Sequence, residues 1–267
     1  MFGGQFTLPM VIRAPGGGGR QLGATHSQTP DAIFAHFPGL LVVSPGTPYD
    51  AKGLLKAAIR SDDPVLFIEH ATLYQTRGEV PEGDYVVPIG KSKIQREGKD
   101  VTIVTYSKML EVSTKAAEEL SKKDGIECEI VDLRTLRPLD MEPVLESFKK
   151  TNRAVIVEEG WKSYGVGAEI LSRIYEEAFD YVDAPITRVA ATFYGVSDLA
   201  IGLLSLVFMV VFLFVSIPAS WVLDTYGIRV GVGIGVVLTA VFGMARGLLA
   251  DHYAWVLAAQ IGIAVGQ

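Results

Sequence analysis

The residues whose type and spacing bear on chemistry are few. Of the four histidines, His26 stands in the polar run Ala24-Thr25-His26-Ser27-Gln28. An imidazole there changes charge near neutral pH and suits acid or base work. His36 falls in a short helical stretch, His70 at the end of an apolar strand and His252 in an apolar turn. Each of these positions has a structural reading too, and no Ser–His–Asp order accompanies them. The run Arg13-Ala14-Pro15-Gly16-Gly17-Gly18-Gly19-Arg20 offers backbone amides and two guanidinium groups to an anion. Its spacing matches neither a P-loop nor a dinucleotide fingerprint, so a plain connecting loop is the alternative. Gly165-Val166-Gly167-Ala168-Glu169-Ile170 has the first two glycines of a dinucleotide loop without the third, which points to close helix–strand packing. Glu158-Glu159, before Gly160-Trp161, reads as a solvated strand edge rather than an acid/base dyad. Asp62-Asp63 before Pro64 makes a weak cation site, because adjacent side chains cannot both point inward. These residues alone leave the reaction open.

The elements that must position them follow from apolar periodicity. Strands are predicted over residues 10–13, 40–44 and 65–69, with a helix after Pro48 in which Leu54, Leu55 and Ile59 share a face. Residues 78–98 hold Pro81, Pro88 and several glycines without helical period and read as a linker. The pattern then restarts, with strands over 101–105, 129–133 and 154–157 alternating with helices over 109–122, 141–150 and 166–178. Nearly uncharged strands alternating with helices imply a parallel sheet covered on both faces, an α/β doubly wound design. Ligands of such sheets sit beyond the carboxyl ends of the strands. The first module has too few strands to be whole, so the sequence is expected to enter it in mid-domain.

Composition sets the outer bounds. The net charge is −6, from 24 basic and 30 acidic residues, and no basic stripe favours a nucleic-acid partner. The single Cys128 excludes an intramolecular disulfide framework and a thiolate zinc site. Its alternating surroundings, Ile126-Glu127-Cys128-Glu129-Ile130, suit a buried structural thiol. From Ala191 onward the only charges are Asp198, Asp224, Arg229, Arg246 and Asp251, too few for a water-soluble domain.

Five ordered stretches carry a resemblance. They are Phe2-Gly3-Gly4-Gln5-Phe6, Gly19-Arg20-Gln21-Leu22-Gly23-Ala24-Thr25-His26-Ser27-Gln28, Val43-Ser44-Pro45-Gly46-Thr47-Pro48-Tyr49-Asp50-Ala51-Lys52-Gly53-Leu54, Val131-Asp132-Leu133-Arg134-Thr135-Leu136-Arg137-Pro138-Leu139-Asp140 and Glu158-Glu159-Gly160-Trp161. Together they resemble the beta subunit of the thiamine-diphosphate-dependent pyruvate dehydrogenase component of 2-oxo acid dehydrogenase complexes. The resemblance implies a partial pyrimidine-binding domain over 1–77, a linker over 78–98 and a truncated transketolase C-terminal-like domain over 99–190. It also implies oxidative decarboxylation of pyruvate and acetyl transfer to lipoyl groups. His26 matches the family's active-site histidine, facing cofactor and lipoyl group. A structural potassium ion in relatives uses main-chain oxygens that fall on Met10, Ala58, Ile59, Ser61 and Asp63. Magnesium and the diphosphate ligands belong to the alpha subunit. The implied partners are that alpha subunit, a second beta subunit and the dihydrolipoyl acyltransferase core, in cytoplasm or organelle matrix. The family's cofactor-activating glutamate and its stacking aromatic precede the position of Met1, so this stretch is expected to be inactive by itself.

After residue 190 the resemblance changes. Residues 199–223 carry no charge and would reach about 37 Å as a helix, enough to span a bilayer. Residues 230–250, broken only by Arg246 and rich in glycine, form a second candidate span, and 254–267 the start of a third. Between them, Asp224-Thr225-Tyr226-Gly227-Ile228-Arg229 resembles in part the signature loop of major facilitator transporters. The sequence reading is therefore a fusion near 190–192 of an enzyme fragment to a membrane segment over 191–267. A transporter fragment and a membrane-tethered scaffold are the alternatives.

Overall fold

The computed structural model describes residues 5–19 and 27–190, with a few isolated positions beyond. The readings placed on Arg20, His26 and His252, on the apolar segments 199–223, 230–250 and 254–267, and on a junction near 190–192 lie outside these residues. Among the described residues no helix is long and apolar enough to cross a membrane. The fold below belongs to one compact unit, Met1–Gly18 with Thr29–Ala191.

The chain order is β1 (Val11–Gly16), α1 (Asp31–His36), β2 (Leu41–Val43), α2 (Pro48–Ile59), β3 (Val65–His70), a 3-10 turn (Ala71–Gln75), β4 (Lys93–Arg96), β5 (Val101–Thr105), α3 (Lys108–Asp124), β6 (Cys128–Asp132), β7 (Thr135–Arg137), α4 (Glu142–Thr151), β8 (Ala154–Glu158), α5 (Val166–Ala178), a 3-10 turn (Phe179–Tyr181) and β9 (Thr187–Ala190). Two sheets result, ordered β1-β3-β2-β7 and β4-β6-β5-β8-β9.

Local chemistry explains the helices. Thr47 caps α2, its Oγ1 accepting from Asp50 N at 3.1 Å, and Pro48 supplies a first residue that needs no donor. Helix α3 stops at Gly125, whose φ of 68° closes the last turn in the left-handed region. In α5, Val166, Ile170, Ile174 and Ala178 recur every four residues and are all buried.

Parallel pairing holds for β1–β3, β2–β3, β5–β6, β5–β8 and β8–β9. The expectation of wholly parallel sheets needs correction, since β2–β7 and β4–β6 are antiparallel. Strand β4 also lies inside the stretch read as linker. Its Lys-Ile-Gln-Arg run alternates exposed and half-buried positions, and pairing with β6, not a strong apolar signal, makes it a strand. Strand β7 is three residues long and takes the free edge of the first sheet.

One core serves both sheets. Val42, Leu66 and Ile68 from the first pack in the same buried cluster as Val104, Val131 and Ile156 from the second. Cys128 is a free, fully buried thiol beside Ile103, Leu110 and Ile130, the structural role expected of it.

Candidate functional site

The carboxyl ends of β1, β3, β5 and β8 converge. Gly16, Gly17, Ser44, His70, Tyr106 and Glu159, joined by Asp31 at the start of α1, surround a cavity of about 10 Å³, the volume of one water molecule. This is where parallel sheets are expected to carry ligands.

Glu158 and Glu159 follow one another at the end of β8, and successive strand residues point to opposite faces. Glu158 turns one way: its Oε2 accepts from Gly167 N at 2.9 Å and its Oε1 from Arg188 Nη2 at 2.7 Å. Glu159 turns the other: its Oε1 accepts from Gly18 N at 2.7 Å, and its Oε2 lies 2.7 Å from His70 Nε2. The reading of this pair as a solvated edge is therefore overturned. Glu158 is 1% exposed, because each carboxylate is covered by a glycine loop.

Both glycine motifs hold an anion, and in each case it is the chain's own. The amide of Gly18 receives Glu159, and the amide of Gly167, in the first turn of α5, receives Glu158. Gly167 also matches the packing role read for it, since a Cβ there would sit 2.5 Å from Glu158 Oε1. Gly17 is required twice over, with a φ of 83° and a Cβ position 2.1 Å from His70 Cδ2.

The polarity of the His70 link is fixed by its other side. Thr72 N donates to His70 Nδ1 at 3.2 Å, with Thr72 Oγ1 2.8 Å away. Nδ1 is thus the acceptor, and in the neutral ring Nε2 carries the hydrogen, 2.7 Å from Glu159 Oε2 but without an aligned hydrogen bond to it. Burial pushes the Glu159 carboxyl up, but the nearby His70 and the Gly18 amide outweigh it and hold it below the usual range. Asp31 responds in the opposite direction. Burial, reinforced by the charges of Glu159 and Glu158, raises it to about 7, although the nearby Tyr106 hydroxyl and the charge of His70 pull down. Burial also pushes Tyr106 well above its ordinary range, with Asp31 adding to the effect. Asp31 Oδ1 and Ser44 Oγ are buried without a hydrogen-bond partner among the described residues.

A second buried acid cluster ties α2 to the β6–β7 corner. Arg134 Nη2 lies 2.6 Å from Asp50 Oδ1, both side chains being almost fully buried. Asp132 Oδ1 accepts from Arg134 N at 3.1 Å. Burial, then the charge of Asp50, raises Asp132 to about 7.

The positions assigned to potassium gather at one corner. Ala58 and Ile59 end α2, Ser61 and Asp63 lie in the turn before β3, and the register Val11↔Val65 brings Met10 alongside that turn. Leu8 N bonds Asp62 O at 2.9 Å and Val65 N bonds Met10 O at 2.8 Å. No cluster of three His, Cys, Asp or Glu side chains suited to a metal occurs among the described residues. A larger open groove of about 560 Å³ runs between α2 and the Ala71–Gln75 turn, lined by Lys52, Leu55, Lys56, Leu73 and Tyr74 among others.

Sequence reasoning did not single out Asp31, Tyr106, Asp132, Arg134 or Arg188. The legible signal was polarity at the carboxyl end of an apolar strand, as at Asp132 and Tyr106.

Two matched domains define the class. Residues 1–77 match the transketolase pyrimidine binding domain and residues 90–203 the transketolase C-terminal domain. Over these residues, together well over half of its length, the chain is similar to the two α/β domains of transketolase.

Within that class the similarity is to one subunit. The chain is 51% identical over 189 residues to the pyruvate dehydrogenase E1 component subunit beta of Porphyra purpurea, covering 71% of this chain and 57% of the relative. It is 47% identical over 190 residues to that of Bacillus subtilis, covering 71% and 58%. A solved structure titled "Split gene transketolase, inactive beta4 tetramer" superposes with a TM-score of 0.58 at 27% identity, covering 70% of this chain and 58% of that one. The chain thus spans somewhat over half the length of its relatives. Neither family match supports a transporter segment, and the C-terminal-domain match runs to residue 203, into the apolar run.

Proposed function

We propose that this chain supplies the beta-subunit side of a thiamine-diphosphate-dependent pyruvate dehydrogenase. The observation that carries the reading is identity near one half to subunits of that name over residues that form the two matched domains. Thiamine diphosphate, when bound between subunits with magnesium on the alpha side, supplies the carbanion chemistry that decarboxylates a 2-oxo acid. In this reading His26 moves the proton during acetyl transfer to a lipoyl group. The carboxyl-end cluster keeps the adjoining backbone in place, Glu159 as the anion and Asp31 as an acid that exchanges its proton near neutrality.

The potassium assignment fits the corner formed by Met10, Ala58, Ile59, Ser61 and Asp63. Carbonyl oxygens suit a hard cation, and the carboxyl end of α2 presents the negative pole of its dipole. Met10 O accepts a backbone bond from Val65 N and retains a second lone pair for the ion.

The partners of this function are an alpha subunit, a second beta subunit and the acyltransferase core, in cytoplasm or organelle matrix. Mixing the full chain with a pyruvate dehydrogenase alpha subunit, thiamine diphosphate and magnesium tests the reading. Co-elution of the two chains on size exclusion is expected. A mixture that does not associate refutes it.

A further inference from the structure

We propose that Glu159 is a positioning residue, an obligate carboxylate from the C-terminal domain that holds the glycine loop of the pyrimidine domain. The geometry sets the requirement. The carboxylate faces two nitrogens, one per oxygen: the Gly18 amide donates to Oε1 at 2.7 Å, and the buried His70 Nε2 lies 2.7 Å from Oε2 as a close contact and not an aligned hydrogen bond. Neither donor can reverse its role. Gly18 N is a backbone N–H, and His70 is locked with Nε2 as donor because Nδ1 accepts from Thr72 N. A carboxylate satisfies both. A carboxamide of the same shape presents one oxygen and one NH2, so in either orientation a donor meets a donor.

The loop has little freedom to compensate. Gly17 lies against the His70 ring so closely that a Cβ would collide with it, and Gly18 has its own Cβ position 3.2 Å from Glu159 Oε1. His70 is 5% exposed, so water cannot easily replace the lost bond. Strand β8, the 3-10 turn after β3 and the end of β1 are thereby linked in one chain, from Thr72 through His70 and Glu159 to Gly18. Gly18 precedes His26 by eight residues in the sequence. The catalytic consequence rests on the beta-subunit reading above; the positioning itself does not.

Hydrogen exchange on the full chain, read by mass spectrometry over peptides spanning residues 14–19, tests the claim. Strand β6, Cys128–Asp132, is the internal reference. Glu159→Gln is expected to speed loop exchange by about tenfold, the loss of one buried bond, and to leave β6 unchanged. Glu159→Asp keeps two acceptors in a smaller shape, and loop protection in it is expected to exceed that in Glu159→Gln. Unchanged loop exchange in the Gln variant, or better protection in Gln than in Asp, overturns the proposal, because packing would then outrank acceptor count. If the wild-type chain does not associate with an alpha subunit, the beta-subunit reading fails, while the exchange comparison still decides this one.

Discussion

Replacing Asp132 by Asn should stabilise the protein at pH 8 far more than at pH 5. Asp132 is fully buried, and its carboxyl is raised from an ordinary value of 3.8 to about 7, by burial first and by Asp50 second. The folded state therefore binds a proton that the unfolded chain has released between these values. Stability falls as pH rises from about 4 to 7 and is flat above, where the cost of the buried charge is fully present. Three pKa units at roughly 1.4 kcal/mol each put that cost at about 4 kcal/mol. At pH 5 only the first part of the interval has been crossed, so the difference between pH 8 and pH 5 is about 2.5 kcal/mol. The Asn carbonyl can keep the 3.1 Å bond from Arg134 N. Its NH2 would occupy the place of Oδ2, which has no partner among the described residues, and this offsets roughly 1–3 kcal/mol at any pH. Urea unfolding of both proteins at the two pH values measures the difference, and Asp31 titrates alike in both and cancels. If the effect of the substitution is the same at pH 5 and pH 8, Asp132 does not titrate as described.

Three further outcomes follow from the same structure. Arg134→Met leaves Asp50 and Asp132 buried without their cation and should cost about 3–5 kcal/mol in denaturant unfolding at pH 8. Gly17→Ala must move the His70 ring or distort a backbone at φ 83°; a loss of about 1–3 kcal/mol and a changed His70 ring signal in proton NMR are expected. Cys128, fully buried and with its thiol pushed up by burial, should resist a disulfide reagent in the native protein and react along the urea unfolding curve.

Much of the fold was readable because the period was long enough to be unambiguous. Residues 166–178 repeat an apolar residue every fourth position and form α5 over that same span. Thr47-Pro48 announces the start of α2 by capping chemistry alone. What escaped depends on pairing. Strands β4 and β7 have three or four residues and polar composition, and they exist because β6 and β2 offer free edges. The site was half legible. The glycine run could be read as an anion cradle or as a plain connecting loop; the anion at Gly18 is Glu159, 141 residues away, and no local pattern encodes that distance. Asp31 was invisible for a related reason. One aspartate before a short helix is ordinary, and only the approach of Tyr106, His70 and two glutamates from other strands makes it unusual.

The two domains are joined by acids rather than by apolar packing alone, and the acids divide by the number of donors they meet. Glu159 receives an amide, lies 2.7 Å from His70 Nε2 and is held anionic; Glu158 receives an amide and a guanidinium. Asp31, in the same cluster, has an oxygen without a partner and is raised to about 7. Neighbouring carboxyls pushed apart in this way take different duties at one pH. At neutrality Glu159 keeps a permanent charge that can hold backbone, whereas Asp31 is poised to gain or lose a proton. Exchanging the roles would need a donor removed from Glu159 and one added to Asp31. The acceptor count at Glu159 is therefore the feature on which the order of the whole carboxyl-end cluster depends.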